Sequence, residues 1–149
     1  MDTALLPALR MLPPRMDSPE ARAMIIAIGL QESRLQWRKQ IAGPAHGYLQ
    51  FERSGGVAGV LTHPSSQRYA KECCVRLDIE PEPVSVYMAI VYNDVLACVF
   101  GRLLLWTSPM KLPKRDEPLA AYMLYLSCWR PGKPHPESWD GHYAKAWSV

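Results

Sequence analysis

Glu32 is the residue whose type and position in the sequence most directly suggest chemistry. The apolar residues Ala21, Ile25, Ile28 and Leu35 recur at the spacing of one helical face, and Glu32 falls on that same face. A carboxylate is rarely fully buried without a partner, because removing its charge from water is costly. The helix therefore turns an acid toward the side that it is expected to bury.

This placement allows two interpretations. In the first, the carboxylate is structural and is held by backbone donors or by a guanidinium such as that of Arg38 or Arg68. In the second, an apolar, semi-enclosed site raises its pKa, so that it can donate a proton near neutral pH. A general acid in glycosidic-bond cleavage needs that property. Helical periodicity leaves both interpretations open.

A second acid, Glu52, follows Gln50 by two residues. If this stretch is extended, the two side chains point the same way. Glu52 is then either a solvent-facing charge paired with Arg53 or Arg68, or a second carboxylate in a cleft with Glu32. The latter would permit a water-activating hydrolase, with an inverting outcome where the carboxyl groups lie about 6.5–9.5 Å apart.

The composition argues against several classes of function. The 149 residues are 48% hydrophobic and 21% charged, which is typical of one globular domain with a real core. A net charge of +3 without a basic-aromatic run predicts no nucleic-acid partner. The cysteines at 73, 74, 98 and 128 and the histidines His46 and His63 lack metal-ligand spacing. We therefore expect reduced thiols and no metal or other cofactor.

Neither a membrane span nor an export signal is expected. The apolar run from Met88 to Trp106 is interrupted by Asn93, Asp94 and Arg102, which favours a core helix. The N-terminal segment has an acid at position 2 and prolines within a short apolar patch, which is a poor secretion signal. We expect the chain to be made in a bacterial cytoplasm and not to be exported by a signal of its own.

The predicted fold is mainly α, with one domain over residues 1–149. The best-specified helix begins after Ser18, a natural N-cap, with Pro19 at its first position and Glu20 near the positive end of its dipole. It should end near residues 37–40.

The rest of the chain is expected to be helical apart from its proline- and glycine-rich connections. Further helices are predicted at 5–11, 65–77, 84–106 and 119–129, with a last helical turn around 143. The segment around 47–61 is expected to be irregular or β-like because of its glycines. Residues 1–17 should form an arm and 130–149 a Pro/Trp-rich tail, both packed on the domain.

That tail combines indoles with positive charge, in Trp129, Trp139, Trp147, Arg130, Lys133 and His135. It could form the far wall of a saccharide groove or a docking strip for another protein. The alternative is a tail that covers the core with its indoles.

Two segments of the chain resemble the first motifs of the lysozyme-like lytic transglycosylases and goose-type lysozymes. In that group a Glu-Ser pair ends a helix, and a turn similar to Gly-Leu-Met-Gln follows. Here Glu32 and Ser33 stand for the pair and residues 47–50, GYLQ, for the turn, with an offset of 18 residues from Glu32 to Gln50.

A third segment, LAAY at 119–122, is similar to the start of the family's third motif, in which Ala-Ala-Tyr leads into Asn-Ala-Gly. Met123 departs from that pattern, because it stands where the family has Asn. The departure bears on a substrate contact usually made by the asparagine, and not on the proton donor. The resemblance covers roughly residues 18–125.

The resemblance implies cleavage of the β-1,4 bond between N-acetylmuramic acid and N-acetylglucosamine in peptidoglycan. Glu32 would act first as acid on the glycosidic oxygen and then as base on the C6 hydroxyl of the same sugar, giving a 1,6-anhydro product. The implied substrate-binding residues are Ser33, Gly47, Tyr48, Leu49, Gln50 and Tyr122, and Glu52 joins them if it lines the cleft. Ser33 would orient the site, Gln50 and the turn backbone would hold a sugar substituent, and Tyr48 and Tyr122 would be platforms for a pyranose ring.

A small cell-wall enzyme without a signal sequence fits a bacteriophage. We expect a virion-associated protein, with tail or internal virion proteins as possible partners, acting on glycan strands in the periplasm or cell wall. The alternatives are an endolysin, an inactive lysozyme-like adaptor that keeps only the fold, and a two-carboxylate muramidase.

Overall fold

Eight α-helices make up most of residues 2–149, which are the residues that the computed structural model describes. In chain order they are α1 Asp2–Arg10, α2 Pro19–Ser33, α3 Ala58–Thr62, α4 Gln67–Arg76, α5 Pro83–Ile90, α6 Asp94–Trp106, α7 Pro118–Trp129 and α8 Pro136–Ala146. A 3₁₀ turn at Pro14–Met16 precedes α2, and a π-type turn at Arg53–Val57 runs into α3. The prediction of a mainly α chain is confirmed.

Residues 47–61, predicted to be irregular or β-like, are irregular up to Glu52 and mostly helical beyond it. Within residues 2–149 the only strand-like pairing is two isolated bridges, from Lys39 to His46 and from His46 to Phe51. The helical part is the turn at Arg53–Val57, which is kinked at Gly55, followed by α3. The bridges close a tight loop, and the glycines that suggested irregular backbone lie mostly within helical turns.

Helix α6 forms the centre of the core, and every side chain from Leu96 to Leu105 is buried. α1, α4 and α5 contact it, as do α2, α3 and α7. Its buried charge, Arg102, donates from Nε to the Met16 carbonyl at 2.6 Å and lies 5.2 Å from the centre of the Trp106 ring. No helix in residues 2–149 is long and apolar enough to cross a membrane.

The expected long helix at 84–106 is two helices, α5 and α6. The chain leaves the helix after Ile90 and starts again at Asp94, where the Asn93 side chain accepts a hydrogen bond from the Leu96 amide at 2.9 Å. Asparagine is a strong N-cap residue, and this cap satisfies an amide that a new helix start would otherwise leave unpaired. Asn93 is one of the polar residues that interrupt the apolar run from Met88 to Trp106. In the structure it marks the boundary between α5 and α6.

Helix α2 begins as predicted but ends earlier than predicted. Ser18 Oγ accepts the Ala21 amide at 3.1 Å, and Pro19 is the first helical residue. The helix ends at Ser33 because Arg34 and Leu35 adopt left-handed conformations, with φ of 54° and 56°. Glu32 therefore lies in the last turn of α2, and the chain reverses immediately after it.

The C-terminal tail forms an eleven-residue helix, α8, where only one helical turn was predicted. α8 packs against α2 and α7. Gln31 joins it to α2, because Gln31 Nε2 donates to the His135 carbonyl at 2.9 Å and Gln31 Oε1 accepts from Ser138 Oγ at 3.1 Å. The contact holds α8 beside the residue that precedes Glu32.

Candidate active site

The Glu32 carboxyl is half-buried and has a tyrosine as its hydrogen-bond partner. Tyr125 Oη, from α7, donates to Glu32 Oε1 at 2.6 Å. Neither arginine considered as a structural partner reaches it. Arg38 forms a two-point ion pair with Asp94 at 2.8 and 2.9 Å, and Arg68 lies 3.5 Å from Glu72 on its own helix. The interpretation of Glu32 as the neutralised half of an ion pair with either arginine is therefore wrong.

The surroundings of Glu32 favour its protonated form. Burial raises the pKa of Glu32 above its ordinary value of 4.5, and the negative charge of Glu52 raises it further. The hydrogen bond from Tyr125 acts in the opposite direction, because it stabilises the carboxylate, but it is smaller than the effect of burial. Burial and the nearby Glu32 charge also raise the pKa of Tyr125, so that its hydroxyl remains a donor.

A cleft of about 1170 Å³ opens in front of Glu32. Its lining combines few charged groups with aromatic side chains and exposed glycine backbone, as is common in small-molecule and oligosaccharide sites. The residues that line it include Gln31, Glu32, Gln50, Glu52, Gly59, Tyr125, Trp129, Arg130, Lys133 and His135. Glu32, Gln50 and Glu52, which the sequence separates, thus share one cavity.

Ser33 connects the end of α2 to the turn at residues 47–50. Its hydroxyl donates to the Tyr48 carbonyl at 2.7 Å and contacts the Gly29 carbonyl at 3.1 Å. Ser33 itself is buried. It therefore positions the turn relative to Glu32 and does not reach the cleft.

The turn is fixed by hydrogen bonds to three of its four carbonyls, those of Gly47, Tyr48 and Leu49. The Gly47 carbonyl accepts from the Gln50 amide at 3.0 Å and from Gln50 Nε2 at 2.8 Å, and the Leu49 carbonyl accepts from Trp129 Nε1 at 2.8 Å. Because Gln50 uses Nε2 within the turn, its Oε1 remains available to accept a hydrogen bond in the cleft. A sugar hydroxyl or an N-acetyl N–H could supply that bond.

The structure does not bring Gly47, Tyr48 or Leu49 to the cleft lining, although all three were predicted to bind substrate. Leu49 is fully buried against Gly101 of α6, where an added Cβ would lie 2.4 Å from Leu49 Cδ1. Gly47 has φ of 75° and packs against Ile90, so a side chain there would clash as well as strain the backbone. The Tyr48 ring lies under the Arg38 guanidinium at 4.7 Å. These residues hold the turn in place.

Tyr122, predicted as a sugar platform, lies outside the lining and packs between Tyr125 and Trp139, at ring-centre distances of 5.9 and 5.6 Å. Tyr125, three residues later, takes the place beside Glu32 and was missed from the sequence. Tyr125 stacks on Trp139 at 5.1 Å with 10° between the rings. Because residues three apart share a helical face, the Tyr122–Tyr125 spacing could have indicated both.

Met123 and Glu52 lie in different places relative to the cleft. Met123, which stands where the resembled family has Asn, is 52% exposed and does not line the cleft. Glu52 does line it, and its carboxylate makes no ion pair or side-chain hydrogen bond within residues 2–149. The expected pairing of Glu52 with Arg53 or Arg68 is therefore absent from the described residues.

Of the three tryptophans in the C-terminal tail, two cover the core and one lines the cleft. Trp139 is buried with 1% of its surface exposed, and Trp147 packs edge-on to Tyr143, so these two indoles cover the core. Trp129 lines the cleft beside the basic residues of the loop that follows it.

Searches against protein families, curated proteins and solved structures found no match to this chain. Among residues 2–149, no group of three or more His, Cys, Asp or Glu side chains is placed to hold a metal ion. The groups that the site offers for chemistry are one acid with a raised pKa, a tyrosine donor, a second carboxylate and an amide acceptor.

Gly59 offers a direct test that the cleft is the binding site. An added Cβ at this lining residue meets no other group within 4 Å, so Gly59→Leu should fold and project its side chain into the cleft. If the cleft binds a glycan that the protein cleaves, we expect the variant to lose roughly tenfold or more of that activity, equivalent to about 1.4 kcal/mol of binding. Gly141→Leu is the control, because Gly141 is equally open but lies on α8 away from the cleft. Equal activity of both variants in peptidoglycan turbidity assays would exclude this cleft.

Proposed function

We propose that the protein is a peptidoglycan lytic transglycosylase with Glu32 as its catalytic acid and base. The observation that carries the proposal is the placement of a half-buried carboxyl, with a raised pKa and a tyrosine hydroxyl as partner, on the wall of a cleft large enough for several sugar rings. The resemblance of the Glu32-Ser33 pair and of the 47–50 turn to transglycosylase motifs supports the same conclusion.

In the first step, protonated Glu32 gives its proton to the glycosidic oxygen. The bond between that oxygen and C1 of the muramyl residue breaks, the N-acetylglucosamine fragment leaves with a new hydroxyl, and positive charge develops at C1. A raised pKa keeps Glu32 protonated for this step. Once Glu32 is ionised, the Tyr125 hydroxyl stabilises the carboxylate through their 2.6 Å hydrogen bond.

In the second step, the C6 hydroxyl oxygen of the muramyl residue attacks C1, and its proton passes to the Glu32 carboxylate. The product is the 1,6-anhydro sugar, and the acid is restored without consuming water. One carboxyl group suffices for both steps. Gln50, through its unused Oε1, would hold the sugar during the reaction, and Trp129 would offer an apolar face to the ring.

Mass spectrometry of the sugars released from purified sacculi tests this proposal. A lytic transglycosylase releases anhydro-muramyl products, which are lighter by one water than the products of a hydrolase. Anhydro products from the wild-type protein support the proposal. Hydrated products support a hydrolase, and the absence of any release supports an inactive adaptor.

A two-carboxylate muramidase is the second candidate, and the position of Glu52 favours it. Glu52 lines the same cleft, has no ion-pair partner in residues 2–149 and is near enough to raise the pKa of Glu32. In such an enzyme Glu52 would activate the attacking water.

Glu52→Gln separates the two candidates. If the protein is a transglycosylase, we expect Glu52→Gln to keep anhydro-product release within about threefold, because general acid catalysis, worth roughly 10²–10⁴, depends on Glu32. The alkaline limb of the pH profile, on which activity falls as Glu32 loses its proton, should also move to lower pH, because loss of the Glu52 negative charge lowers the Glu32 pKa. A loss of more than a hundredfold would identify Glu52 as a catalytic base.

We further propose that the protein is carried by a bacteriophage particle and acts during envelope penetration. Mass spectrometry of purified virions tests this. Detection of the chain at a fixed copy number supports it, whereas presence only in late lysates supports an endolysin.

A further inference from the structure

Part of the cleft lining is basic, and the proposed reaction does not use it. Arg130, Lys133 and His135 make up this part, all in the loop between α7 and α8, and we call these three residues the basic lip. Glu32 and Glu52 line the same cavity. The cleft thus carries both signs of charge.

The charges of Arg130 and Lys133 are not neutralised within the protein. Neither forms an ion pair with a carboxylate in the described chain, and both residues are exposed. His135 differs, because its Nδ1 lies 3.2 Å from Glu137 Oε1. Arg130 and Lys133 are therefore the two cations that an incoming ligand would meet.

The basic lip is held in position before any ligand arrives. Arg130 ends α7 in a left-handed conformation with φ of 48°, and its amide donates to the Leu126 carbonyl at 3.0 Å. Prolines at 131 and 134 restrict the loop, and Gln31 Nε2 binds the His135 carbonyl at its far end. Only Nε of the Arg130 guanidinium is used, in a 3.4 Å contact with the Ser127 carbonyl, so both terminal nitrogens remain available.

We propose that Arg130 and Lys133 bind the carboxylates of the peptide stems attached to muramyl residues. This inference rests on the proposed function and names the substrate form that the site selects. The N-acetylglucosamine units of a glycan strand are neutral, whereas the peptide stems carry free carboxylates. A guanidinium with two free nitrogens matches a carboxylate in geometry as well as in charge. The enzyme thus prefers peptide-bearing strands to bare glycan.

The test compares two substrates, intact sacculi and glycan strands stripped of their peptides by an amidase, with the lactyl carboxylates that the amidase exposes then capped as neutral methylamides. The Arg130→Gln/Lys133→Gln variant should lose about fivefold to twentyfold of its activity on intact sacculi at low salt. It should match the wild-type protein on stripped strands. The control is Lys71→Gln/Lys145→Gln, which removes the same charge from exposed residues outside the cleft.

A binding arm separates this inference from the proposed function. In the Glu32→Gln background, cosedimentation with intact sacculi should weaken when Arg130 and Lys133 are replaced, and cosedimentation with stripped strands should not. Equal effects on both substrates, or the same loss in the Lys71/Lys145 control, would overturn the peptide-stem assignment. If the wild-type protein cleaves neither substrate, the proposed function fails, and the binding comparison still reports on the basic lip.

Discussion

Glu32→Gln is expected to abolish peptidoglycan cleavage while leaving the fold intact. General acid catalysis contributes about 10²–10⁴ to the rate, and the loss should be at least that large because the same group also serves as base. The amide keeps the size of the carboxyl and can still accept the hydrogen bond from Tyr125. Zymograms and turbidity assays on purified sacculi would measure the loss.

Glu20→Gln is the matched control for this variant. Glu20 lies in the first turn of the same helix, far along the chain from the cleft-lining end, and makes no contribution to the lining. It should retain full activity. Cleavage by Glu32→Gln at a rate comparable to that of Glu20→Gln would contradict the assignment of Glu32.

Glu32→Gln should also make the folded protein more stable than the wild type at neutral pH. Since the folded-state pKa of Glu32 is raised above its ordinary value of 4.5, the contribution of this group to stability is fully present below pH 4.5. It is lost as the pH rises through the folded-state pKa. Glutamine does not titrate, so thermal unfolding of Glu32→Gln should occur at higher temperature than wild type at pH 7, with the difference shrinking as the pH falls toward 4.5. A variant less stable than wild type at pH 7 would indicate that the ionised carboxylate is stabilising.

Trp139→Ala is expected to cost about 3–5 kcal/mol of the free energy of unfolding, because it removes a fully buried indole. Trp139 is 1% exposed, stacks on Tyr125 at 5.1 Å and on Tyr143 at 5.9 Å, and donates from Nε1 to the Pro118 carbonyl at 2.9 Å. Its loss leaves a cavity between α7 and α8 and removes the hydrogen bond from Trp139 to the Pro118 carbonyl. Chemical denaturation would measure the change.

Trp37→Ala provides the comparison, because the Trp37 side chain is 54% exposed. We expect a change below about 1 kcal/mol there. A third variant, Trp139→Phe, keeps most of the packing and tests whether the stack positions Tyr125. Similar stability of Trp139→Ala and Trp37→Ala would show that the α7–α8 contact is not part of the core.

Local signals in the sequence predicted where α2 begins, but not where α3, α6 and α8 begin. Ser18 and Pro19 start α2 as expected, because capping chemistry depends on adjacent residues. The position of Glu32 on the buried face also follows from periodicity, since Ala21, Ile25 and Ile28 are fully buried. The mainly α fold follows from the same patterns.

Features that depend on tertiary contacts were not predictable from those signals. The end of α2 is set by left-handed Arg34 and Leu35, residue types that rarely adopt this conformation and that give no warning in the sequence. Whether Tyr122 or Tyr125 reaches Glu32 depends on how α7 is rotated about its axis relative to α8 and α2. Leu49 matched a motif, yet its place is decided by the space that Gly101 leaves on α6.

Direct titration of the Glu32 carboxyl is the most direct test of the account. Carbon-13 NMR of the labelled side chain, assigned by comparison with Glu32→Gln, would follow its protonation in the wild-type protein. We predict a pKa above the ordinary value of 4.5 and an upfield-to-downfield transition that Glu52→Gln moves to lower pH. A Glu32 pKa at or below 4.5 would contradict the claim that this residue holds a proton in the cleft.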